Sequence, residues 1–151
     1  MSLPCVGTLS MSADGGLTWS APIQVNKSPS NIAPANRQAF IPSVAVAADG
    51  TVAVTYYDFR FNDANPGTPT DYWLVHCHPT TPTACTNPAN WSNELRLTEA
   101  SFDIEQAPDF GVGLFIGDYQ GLISSGNDFL SAWSQPHGTD PDSVFFRRVG
   151  P

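Results

Sequence analysis

A chain of 151 residues with 6 Lys and Arg against 14 Asp and Glu carries a formal net charge of −8, which excludes a binder of nucleic acid or anionic membrane, since either needs a basic stripe. Its 41% hydrophobic and 11% aromatic residues suffice for one packed core, so disorder is excluded and a single domain over 1–151 is expected. Its 14 prolines, with no apolar residues at i, i+3, i+4, i+7 over three turns, exclude a helical bundle; the apolar runs fall short of the roughly 18 residues of a membrane span.

Met1-Ser2-Leu3-Pro4 has neither a basic start nor an apolar run, so no secretory signal is read there and the start is that of a mature form or of a recombinant one. Nine short β-type runs then alternate with turn signals: Val6 to Met11, Ile23 to Asn26, Pro42 to Ala47, Thr51 to Tyr57, Tyr72 to Cys77, Leu95 to Thr98, Tyr119 to Ser124, Asp128 to Ser134 and Ser143 to Val149. The fold class is all-β. Cys77 and Cys85 flank a Thr- and Pro-rich loop, and two readings stay open for them: a local disulfide in an oxidising compartment, or metal binding with His76 and His78. Strand alternation weighs against the metal, because it turns the two histidines to one face and Cys77 to the other.

The runs repeat. Ser43 to Tyr57 aligns without gaps on Tyr119 to Trp133, with Gly50 on Gly126 and Tyr57 on Trp133. Trp19-Ser20 matches Trp91-Ser92, with Ile23 and Val25 on Leu95 and Leu97, and Asp71 matches Asp142. A unit of four antiparallel strands, A to D, accounts for this: strands C and D in 1–26, a complete unit in 41–98, and A, B and C in 113–151. Such units are β-propeller blades, which bury their faces against neighbours. About two blades plus one strand are therefore expected.

The most specific motif is Ser12-Ala-Asp14-Gly-Gly16-Leu-Thr18-Trp19. It resembles the Asp box, the repeat of bacterial neuraminidases and related propellers. In such a turn Asp14 accepts backbone N–H groups, Gly15 and Gly16 supply positive φ, and Trp19 covers the exposed side. Ile41-Pro42-Ser43, Tyr57-Asp58-Phe59-Arg60 and Gly117 to Leu122 are likewise similar to bacterial sialidase-like propellers. The hairpin from His78 to Trp91 has no box.

Strand direction puts the Asp box and the Asp49-Gly50 turn on one rim. The longer loops, Asn26 to Phe40, Asp58 to Asp71, Thr98 to Phe115 and Ser134 to Asp142, lie on the other, where function concentrates. The resemblance implies three arginines on a substrate carboxylate, a tyrosine nucleophile polarised by a glutamate, and an aspartate acid/base. Where the family places its first arginine, before Ile-Pro, this chain has Phe40. Tyr119 with Glu105, and Asp118 beside them, are the catalytic candidates, against Tyr119 as a plug of the central funnel.

Asp58, Arg60, Tyr119 and Arg37 are the ligand-binding candidates, against Asp58–Arg60 as an ion pair bracing its loop. One of Arg147 and Arg148 should face solvent while the other lays its stem along the sheet. Asp103, Glu105 and Asp109 offer oxygens to a Ca²⁺ ion but match no defined calcium loop, so no cofactor is expected. His137 is a lone rim histidine. Asn26-Lys-Ser28 and Asn90-Trp-Ser92 are glycosylation sequons, of consequence in a eukaryotic source.

The expected function is that of a sialidase-like Asp-box segment of a secreted or periplasmic bacterial protein. It binds a glycan or other small polar ligand, or forms part of an exo-glycosidase, and is not catalytic by itself. The alternatives are an exo-α-sialidase completed by other blades or subunits and a protein-binding propeller. Open strands near Val6 and Phe145 imply either further blades in a longer chain or self-association, a closed trimer being one form.

Overall fold

In the computed structural model, residues 5–111 and 113–150 are described; Met1 to Pro4, where a leader was sought, lie outside them. Ten strands form three antiparallel sheets, none of them closed. The first sheet pairs β1 (Thr8–Leu9) with β2 (Ile23–Gln24). The second has the order β3 (Ala39–Val46), β4 (Val52–Asp58), β5 (Pro69–Cys77), β6 (Asn93–Arg96), with β7 (Phe102–Asp103) pairing the start of β5. The third has β8 (Gly121–Ser125), β9 (Asp128–His137) and β10 (Asp140–Val149), with β9 central.

The three sheets stack in chain order because the middle one is apolar on both faces. Every residue of β4 is buried, the pattern of a strand covered on both sides. Val52, Val54 and Tyr56, with Trp73 and Val75 of β5, pack towards β1 and β2, where Val25, Leu9 and Ile23 meet them. Ala53 and Tyr57, with Tyr72 and Leu74, face the third sheet and meet Phe129, Trp133 and Phe145. The Tyr57 and Tyr72 rings meet at 4.4 Å, tilted by 43°, and Tyr72 meets Trp133 at 5.3 Å. Tyr57 Oη donates to Ser134 O across the boundary.

Several boundaries differ from those expected. β1 and β2 are two residues each because the chain around the Asp box turns away from ladder pairing, although Val25 N–H still donates to Gly7 O and Ser20 N–H to Met11 O. The segment Ser134 to Asp142 is no long loop: β9 runs to His137, and only Gly138 and Thr139 separate it from β10. Pro136 is tolerated there because β8 stops opposite Ala132, leaving that side of β9 without a partner strand. β7 was not anticipated.

The internal alignment also shifts. Gly50 and Gly126 both turn with positive φ, 87° and 62°. However, the first hairpin closes on Val46↔Val52 and the second on Ser125↔Asp128, so the loops differ in length. The face turned to the preceding sheet carries Tyr56 in β4 and Trp133 in β9, so Trp133 corresponds to Tyr56, not Tyr57. The ladder pairs Tyr56↔Trp73 and Trp133↔Phe145 then place Ser143, not Asp142, on Asp71. Since side chains alternate with period 2, a slip of one residue reverses the face.

At the head of β3, Ile41 has φ 47° beside a register shift between Phe40 and Ser43. A β-branched residue resists that left-handed region. Its side chain packs against the core shared with the third sheet.

Candidate functional site

Side-chain contacts gather at the two ends of the sheets. At one end, Thr18 and Trp19 of the 12–19 hairpin share a small recess with Pro82 and Thr86, and the Gly50 turn approaches Pro79. At the other, Ser28 Oγ donates to Asp58, Asn36 Nδ2 donates to Asn62 O at 2.7 Å, and Thr68 N–H donates to Asp103 at 2.8 Å, tying the long loops together.

Within the Ser12 to Trp19 hairpin, Asp14 accepts from Thr18 N–H at 2.9 Å and Thr18 Oγ1 at 2.6 Å. These bonds, with one from Ser12, hold its carboxyl down at about 2. Gly15 and Gly16 have φ of 73° and 92°, and Ser12 Oγ accepts from Gly16 N–H. Trp19 Nε1 donates to Gly16 O while its ring stays 65% exposed. Its counterpart Trp91 is wholly buried, donating to Cys85 O. Cys77 and Cys85 form a disulfide in the same core, and His76 and His78 meet edge to face on the opposite side of β5 at 4.8 Å. Burial, with His78 nearby, pushes the His76 pKa down.

Asp58 and Arg60 come together, with a partner that sequence reading missed. Arg60 Nε donates to Asp58 at 2.8 Å, and its terminal nitrogens donate to both oxygens of Glu94 at 2.6 and 2.9 Å. Its carbon Cζ lies 3.7 Å from the centroid of Trp73. Side-chain exposures of 7% for Arg60 and 0% for Asp58 enclose the pair. Burial opposes the arginine's charge, but the bonds to Glu94 and Asp58 outweigh it and raise its pKa. Tyr56 Oη also donates to Glu94, and burial beside that carboxylate raises the phenol's pKa.

Asp58 lies opposite Asp71 in the ladder, a pairing of like charges that is unfavourable unless each is neutralised. Asp71 accordingly accepts from Arg96 Nε at 2.7 Å and from Thr98 and Ser101 hydroxyls. Arg96 in turn lies over Phe61, which packs on Trp73, so the two neutralising arginines cap one aromatic stack.

The catalytic candidates are not drawn together by hydrogen bonds. Tyr119 is 91% exposed, so it plugs nothing among the described residues. Glu105 accepts from Thr68 Oγ1 at 2.7 Å, and Asp118 is exposed. Arg37 sits in a 3₁₀ turn (Pro34–Arg37) and donates through Nε to Ile32 O. Asp103 accepts from the N–H groups of Thr68 and Glu105, and Asp109 from that of Gly111. Among the described residues, no three His, Cys, Asp or Glu side chains converge in a metal-binding group.

On the long-loop rim a cleft of about 740 Å³ separates the second and third sheets. The 97–103 segment forms one wall and the β9–β10 hairpin the other, bringing Glu99, Asp103, Gln135, His137, Phe145 and Arg147 to its lining. Arg147 Nη1 donates to Arg96 O and Leu97 O and Arg148 pairs with Asp128; both residues are exposed, so the expected division between a solvated and a sheet-packed arginine is not seen. Gln135 was not singled out from the sequence, although Trp133-x-Gln135 in a strand places both side chains on one face.

No family model, no curated protein and no solved structure matches this chain. No helix among the described residues is long and apolar enough to cross a membrane.

Proposed function

We propose that this chain is a segment of a sialidase-like Asp-box β-propeller of an exported bacterial protein, and that its long-loop rim binds a glycan without hydrolysing it. The observation that carries the reading is the succession of three antiparallel sheets, each packed face to face on the next, with the Asp-box hairpin at the end away from the long loops. The Cys77–Cys85 disulfide is in keeping with an oxidising compartment. Fold alone does not establish chemistry; the exposure of Tyr119, the engagement of Glu105 by Thr68 and the protein-bound Arg60, Arg96 and Arg147 favour binding over catalysis.

Exposed Ile123, Val144 and Phe146 on the outer face of the third sheet support association with a further sheet, supplied by another copy or by a longer chain. A glycan array combined with a fluorogenic sialoside assay tests the functional reading. Binding to glycans without turnover above buffer is expected; turnover, or no glycan retained, overturns it.

A further inference from the structure

We infer that the cleft between the 97–103 segment and the β9–β10 hairpin is a site for a neutral pyranoside, with Gln135 as its oriented hydrogen-bond donor. This rests on the glycan-binding reading and adds to it the location and the charge class of the ligand. The volume, about 740 Å³, is in the range of small-molecule sites.

Gln135 is only 8% exposed. Its Oε1 accepts from Trp133 Nε1 at 2.8 Å, and because an indole nitrogen only donates, the carboxamide has one orientation. The two hydrogens on Nε2 have no partner among the described residues. That nitrogen is also not among the sealed, unsatisfied atoms, which are Asn62 Oδ1 and Trp73 Nε1, so it opens onto the cleft that Gln135 lines. A nearly buried donor pair held in place by an indole is suited to receiving a ligand's oxygen.

The rest of the lining favours hydroxyl groups over a charged group. Glu99 supplies a carboxylate on one wall, the Asp103 carboxylate being held by the Thr68 and Glu105 N–H groups, and the single guanidinium of the lining, that of Arg147, already donates to Arg96 O and Leu97 O. With a net charge of −8 on the chain, an anionic sugar gains nothing from the surrounding field. Phe145 offers an apolar surface braced by Trp133 at 6.0 Å and by the His137 ring edge-on at 5.5 Å. Hydroxyl groups both donate and accept, so a pyranose matches the Gln135 amide donor opposite the Glu99 carboxylate, with its C–H face on the phenyl ring.

The test is binding of methyl β-galactoside, methyl α-mannoside, lactose and sialyllactose to the whole chain by saturation-transfer NMR. At least one neutral sugar is expected to bind about tenfold more tightly than sialyllactose, and Gln135→Glu to weaken it about tenfold. That variant keeps the acceptor for Trp133 but removes both N–H donors. Glu99→Gln, at an exposed position, should leave the fold intact and narrow the discrimination against sialyllactose, which keeps the proposal open to refutation if Gln135→Glu misfolds. Neutral-sugar binding unchanged in Gln135→Glu, a preference for sialyllactose over every neutral sugar, or a discrimination that Glu99→Gln leaves unaltered overturns the cleft assignment while leaving glycan binding standing. Absence of binding to every sugar overturns both.

Discussion

Replacing Arg60 by Met separates a structural brace from a ligand clamp. Asp58 has no exposed side-chain surface and Glu94 only 14%, so loss of the guanidinium leaves a carboxylate with no solvent access and only the Ser28 hydroxyl and the Arg60 N–H as donors. Removing one partner of a buried ion pair costs about 3–5 kcal/mol. At this chain length each kcal/mol lowers Tm by roughly 2–4 °C, so the expected fall is about 6–20 °C. Met approximates the arginine's aliphatic stem over Trp73, which limits the packing loss. Urea and thermal unfolding followed by circular dichroism measure the effect. Adding Asp58→Asn should recover a substantial part of it, because the uncompensated charge is then gone. An Arg60→Met variant as stable as the parent but unable to bind glycan would show that Arg60 serves a ligand.

The Asp14 carboxyl, lowered from 3.8 to about 2 by Thr18 and Ser12, makes a contribution to hairpin stability that is fully present above pH 3.8 and lost as pH falls through 2; a carboxyl NMR titration with a midpoint near 4 contradicts this. Asp14→Ala should loosen the 12–19 hairpin, seen as faster amide exchange, without changing glycan affinity, and a changed affinity contradicts the placement of the box. Replacing Cys77 and Cys85 together by Ala should cost about 2–4 kcal/mol in denaturant unfolding; no loss refutes a stabilising cross-link. Light scattering at micromolar concentration should show species larger than 16.2 kDa, and a stable monomer refutes self-association through the outer face of β8–β10.

Strand positions were legible wherever apolar runs ended at a glycine turn, as at Gly50 and Gly126. Register was not, and β4 shows why. Val52 to Asp58 is buried on both faces, so no polar alternation distinguishes Tyr56 from Tyr57, and a gapless match chose the wrong tyrosine. β7 escaped notice because Phe102 and Asp103 form only two pairs with β5, too short for any periodicity.

The bonding of the 12–19 hairpin was readable because the bonds to Asp14 are local, from residues within four positions of it. The Arg60 network was readable only in part, since Glu94 arrives from 34 residues away and Trp73 from the neighbouring strand. Gln135 carried a local sign, Trp133 two residues earlier, but its meaning depends on the 97–103 segment forming the opposite wall.

The measurement that bears most directly on the account is a map of amide shifts in the labelled chain on titration with lactose. Perturbations confined to 97–103, 135–138 and 145–147, the walls of the long-loop cleft, are predicted. Perturbations centred on Ser12 to Trp19, or none at saturating sugar, would contradict a glycan-binding rim opposite the Asp box.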